Sequence, residues 1–94
     1  MQTNSMDAVE LIAKEDIPKY KLARASEDHV AELRQKLRGA VRLGNEFKSK
    51  ATITFQTEDG PKRVETTVWT LTEDALQIKS GMVLPLVSLL DIDY

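Results

Sequence analysis

Three arginines four residues apart, Arg34, Arg38 and Arg42, and a single tryptophan, Trp69, are the residues whose types point to recognition chemistry. Spacing of four lines side chains along one flank of a helix. Guanidinium groups in a row can grip phosphates or carboxylates with bidentate geometry. An aromatic face beside them would add a stacking platform, the combination used by single-strand nucleic-acid binders. The charge is segregated accordingly: residues 33–50 carry +5, with Glu46 as the only acid, which leaves −7 for the rest of a chain of net charge −2. The commoner meaning of such a run is a solvated helix flank. The commoner place for a lone tryptophan is the core, or an interface between copies, with its indole nitrogen paired.

Catalytic arrangements are harder to find. A nucleophile needs a base beside it, and the only histidine, His29, falls in the first turn of the expected helix as a surface or capping residue. One histidine and no cysteine rule out thiolate chemistry, disulfides and any metal site needing two imidazoles from one chain. Asp91 and Asp93 share one side of a strand, where charge discourages unwanted edge pairing. Glu58-Asp59 and Glu73-Asp74 are turn residues by type, and the isolated glycines form no phosphate loop. The expectation is a non-enzymatic protein with no catalytic residue, no cofactor and no metal. No run approaches the roughly 18 to 20 apolar residues that span a bilayer. The start, MQTNSMDAVELIAKED, does not read as a secretory signal. A cytoplasmic protein is expected.

The elements that must position these residues fall into an N-terminal segment, 1–25, and one domain, 26–94. In the segment, Ser5 could cap a short helix through Met6, Val9, Leu11 and Ile12 that ends near Lys14. Pro18 then favours an extended or turning path whose apolar Ile17, Tyr20 and Leu22 suit docking. Ser26 is a good N-cap, with Glu27 and Asp28 opposing the positive end of the dipole. From there Val30, Leu33, Leu37, Ala40 and Val41 make an apolar stripe. Glu32 and Lys36 are spaced for an ion pair. Gly44-Asn45 supplies a left-handed stop, so the helix is expected over 27–43. Gly39 lies opposite the stripe and weakens it there.

The remainder reads as strand. KATITFQT alternates Ala51, Ile53 and Phe55 against Thr52, Thr54 and Gln56. EDGP makes a tight hairpin into RVETTVWTLT, where alternation sets Trp69 and Leu71 opposite Val64, Thr66 and Val68. ALQIK turns Leu76 and Ile78 inward, Ser80-Gly81 reverses the chain, Pro85 marks an edge, and SLLDIDY closes as a last strand carrying Ile92. The fold class expected is α+β, mainly β. It is an N-terminal helix followed by a strongly bent four- or five-stranded antiparallel sheet or a small SH3/Sm-like barrel. A 94-residue chain has a modest core, burying about 60–65% of its unfolded surface, so association into a homo-oligomer would help it.

Three likenesses follow from these residues. The segment LGNEFKSKATITFQTEDGPKRVETTVW is similar to a group of short, uncharacterised bacterial proteins, which bring no activity with them. The succession of a helix and the strands from ATITFQT to SLLDI resembles Sm-like proteins, which bind RNA as rings assembled by edge strands. The Tyr-Lys-His signature of the bacterial Sm-like chaperone has no counterpart in LPLVSLL. TTVWTLTEDALQIKSGMVLPLVSLLDID also resembles the middle of bacterial pleckstrin-homology-like domains, a fold of about seven strands and a helix. The function expected from all this is a small, self-associating protein-interaction module. The alternative is an Sm-like RNA or single-stranded nucleic-acid binder acting through Arg34, Arg38, Arg42 and Trp69.

Overall fold

The computed structural model describes residues 9–25 and 30–94. Ser5, the Ser26 cap with Glu27 and Asp28, and His29 lie outside them. The fold is α+β and mainly β: one α-helix and a six-stranded sheet in one layer packed on it. The strands are β1 (Glu10–Ile12), β2 (Lys50–Thr57), β3 (Gly60–Leu71), β4 (Ala75–Ile78), β5 (Val83–Pro85) and β6 (Leu89–Asp93), and the helix α1 is Val30–Phe47. Sheet order is β5-β4-β3-β2-β6, all antiparallel, with β1 added in parallel to β3. The end strands β5 and β6 do not pair with each other, so the sheet stays open and is no barrel. No helix among the described residues is long and apolar enough to cross a membrane.

The helix is not N-terminal, because a strand precedes it. Where a short helix was expected, Glu10–Ile12 pairs with Lys62–Val64. That stretch of the β3 edge lies beyond the reach of β4, which pairs only from Val68 to Leu71. Its open ladder offers three residues more than an isolated helix of two turns could keep, since such helices are marginal in water. Lys62 clamps the arrangement: its Nζ donates to Glu10 Oε1 at 2.9 Å and lies 5.3 Å from the Tyr20 ring centroid. The bond it makes to Glu10 raises the Lys62 ammonium above its ordinary pKa. A 3-10 helix over Lys14–Lys19 follows and buries Ile17. The chain then runs extended along the β2–β3 hairpin, with Ala23 N–H donating to Gln56 C=O and Glu58 N–H to Lys21 C=O. The docking surface of the N-terminal segment is therefore the protein's own sheet.

The apolar stripe of α1 meets the sheet as its period requires. Leu33, Leu37 and Ala40 are buried, and Val30 and Val41 pack at the margin. They close over Ala51, Ile53 and Phe55 of β2, Val64 and Val68 of β3, Leu76 and Ile78 of β4, and Ile92 of β6. The expected stop at Gly44-Asn45 is overturned, for α1 continues through both to Phe47. Gly44 is buried inside the helix, where any Cβ would overlap the Val68 carbonyl oxygen. Its role is close approach of helix to strand, not termination. At Gly39 the Tyr94 hydroxyl, the tip of an exposed side chain, sits close over the helix. Lys36 pairs with Asp91 at 3.2 Å and not with Glu32. The helix ends at Lys48, whose left-handed backbone (φ 55°) lets its N–H bond Gly44 C=O at 2.9 Å.

Candidate nucleic-acid interface

Trp69 directly follows the buried Val68 on β3, and alternation sets its side chain on the opposite, outward face. The pairing of β3 with β4 shifts between Val68 and Thr70, so that Val68 faces Ile78 and Thr70 faces Gln77. Trp69 is the extra residue, a bulge, and a bulge exchanges the faces of the strand beyond it. Leu71 therefore rejoins the core margin opposite Leu76, while Val68 is fully buried and Trp69 stays outside, 41% exposed. Burial of the indole in the core of this chain, the commoner expectation for a lone tryptophan, is overturned. The N–H has no hydrogen-bond partner among the described residues, and no buried side-chain polar atom lacks one. No cation lies over its ring among them either, the cation–ring contact being that of Lys62 with Tyr20.

An open groove of about 480 Å³ lies between α1 and the end of β3. Arg34, Arg38, Val41 and Asn45 form its helix wall, and Trp69 to Glu73 form the other. Past Trp69 a second depression of about 290 Å³ is lined by Gly44, Asn45, Lys48, Thr67, Trp69 and Lys79. Among the described residues no carboxylate lies within 4 Å of the charged groups of Arg34, Arg38, Lys48 or Lys79. Arg34 makes only a long contact, 3.5 Å, to the backbone carbonyl of Glu73. The one acid in the lining is Glu73, so four cations face one carboxylate around an exposed indole. Such a surface suits an anionic ligand carrying a planar group.

Three of the four residues singled out in the sequence thus come together, and the fourth does not. Arg42 is exposed and does not line either depression. At 100° per residue it has turned about 80° from Arg34, whereas residues 38, 41, 45 and 48 stay within about 40°. The stripe that borders the sheet is therefore 34-38-41-45-48, which brings in Asn45 and Lys48. Spacing by four alone misses both of them, while the full helical period finds them. Lys79 enters from the turn after β4, and only the fold brings it there. Among the described residues no three His, Asp or Glu side chains gather as a metal site would need.

No family model, no curated protein and no solved structure matches this chain.

Proposed function

We propose that this chain is a small non-catalytic binding module that takes single-stranded nucleic acid, RNA foremost, in the groove beside α1. The observation that carries the reading is the exposed Trp69, facing away from the core side of β3, in one groove with Arg34 and Arg38, which have no carboxylate partner among the described residues. Aromatic faces stack on any base and contribute about 1–3 kcal/mol per base, while cations track the phosphates. The test follows Trp69 emission during titration with a single-stranded RNA at low and at moderate salt. Saturable quenching that weakens with salt is expected. In the Arg34→Gln/Arg38→Gln double variant the slope of log K against log salt should fall by about 1.4, at about 0.7 per lost phosphate contact on a single strand. Blue-shifted emission indifferent to RNA would end the reading.

Self-association remains a second reading, favoured by a separate observation. Phe47 at the end of α1 is 69% exposed, and Leu11, Val83 and Tyr94 are each at least half exposed. A small domain buries only a modest core, and exposed apolar side chains of this size are surface that a homo-oligomer would cover. Sedimentation equilibrium is expected to show a dimer or larger species whose population rises with concentration. A strict monomer at several hundred micromolar would remove it.

A further inference from the structure

We infer that the bound strand does not stop at Trp69 but crosses it, so that Lys48 and Lys79 hold a phosphate on the far side. The inference rests on the nucleic-acid reading above. Its first support is contiguity. Trp69 and Asn45 line both depressions, so the indole is a ridge between two basins and not the back wall of one. Cations stand on either side of it, Arg34 and Arg38 in one basin, Lys48 and Lys79 in the other. From Arg34 to Lys48 the helix stripe runs about 21 Å at 1.5 Å per residue. A single nucleotide, with one base and its own phosphate, would leave one pair of cations idle. A strand of several nucleotides, one base lying on Trp69 and phosphates to each side, would use both.

The second support is the backbone of Lys48. It occupies the left-handed position that ends α1, with φ 55° and its N–H bonded to Gly44 C=O. Glycine takes that conformation without steric cost, and a lysine does not. The capping bond is made by the backbone, so nothing in the cap itself calls for a long cationic side chain. What the lysine adds is an ammonium group at the rim of the second depression, without a carboxylate partner among the described residues. Strain kept at such a position points to use of the side chain. Lys79 serves the same basin from the 3-10 turn at Lys79–Gly81.

The test uses Trp69 emission with uridine monophosphate and oligouridylates of two to eight residues at about 50 mM salt, where phosphate contacts weigh most. The natural chain should bind more tightly as the oligomer lengthens. The Lys48→Gln/Lys79→Gln variant should lose tenfold or more for the octamer, and with it most of the gain in affinity that the natural chain shows from two to eight residues. Lys48→Gly separates the side chain from the backbone. It should melt no lower than the natural chain and still lose severalfold for the octamer. Octamer affinity untouched by either variant, while Arg34→Gln/Arg38→Gln weakens it, would overturn the crossing and leave the nucleic-acid reading standing. No response of the natural chain to any oligomer would overturn both.

Discussion

Alanine at Gly44 will destabilise the protein by about 2 kcal/mol or more, while alanine at Gly39, five residues earlier in the same helix, will leave it as stable or slightly more so. Both substitutions gain about 1 kcal/mol of helix propensity, since both positions are interior to α1. They differ in what the new methyl group meets. At Gly44 it overlaps the Val68 carbonyl oxygen and comes within 3.2 Å of Thr67 Cγ2. Val68 is part of the β3 backbone, bonded into the sheet and flanking the bulge, so it yields only by lifting the end of α1 or distorting the strand. Overpacking of this kind costs about 1–3 kcal/mol when side chains absorb it, and backbone is stiffer. At Gly39 the methyl group meets the Tyr94 hydroxyl, the tip of a side chain that is 52% exposed and can swing aside. Urea denaturation of the two variants checks the contrast. A Gly44 variant as stable as the Gly39 variant would mean that the helix does not sit so close to β3.

This pair also marks how far the sequence carries. The stripe of Leu33, Leu37 and Ala40 and the inward Ile53, Phe55, Leu76, Ile78 and Ile92 are legible because burial of one face imposes a local period. Gly44 reads as a helix stop because, locally, that is what a glycine there signals. Its contact with Val68 is twenty-four residues away and leaves no local trace. The three residues of β1 are strand only because β3 has a vacant edge. Alternation within β3 already sets Trp69 opposite Val68, but the return of Leu71 to the core side depends on how β4 pairs across the bulge, which alternation cannot reveal. Arg34 and Arg38 could be singled out from composition and spacing. Asn45 and Lys48 were within reach of the same helix period, but Lys79 needed the fold.

Phe55→Ala will cost about 3–5 kcal/mol, and Trp69→Ala, which removes a larger side chain, about 1 kcal/mol or less. Phe55 is fully buried on β2, flanked by β3 and β6, in the cluster with Ile53, Val64, Leu37 and Leu89. Truncation there opens a cavity that close-packed neighbours fill only in part. Against a total stability of about 5–15 kcal/mol for a domain, such a loss brings the protein near unfolding. Trp69 stands between two basins already open to solvent, so its loss merges them and leaves no dry void. Binding should show the reverse order. Trp69→Ala loses about 1–3 kcal/mol of affinity for single-stranded RNA, roughly ten- to a hundredfold, by the stacking it gives up. Phe55→Ala should keep its affinity under conditions where it is still folded. Denaturation curves and, because the Trp69 variant has no intrinsic reporter, titration with a labelled oligonucleotide together read both quantities. If Trp69→Ala unfolds the protein as readily as Phe55→Ala, the indole is holding the fold together, and its place in the groove has no binding role left to explain.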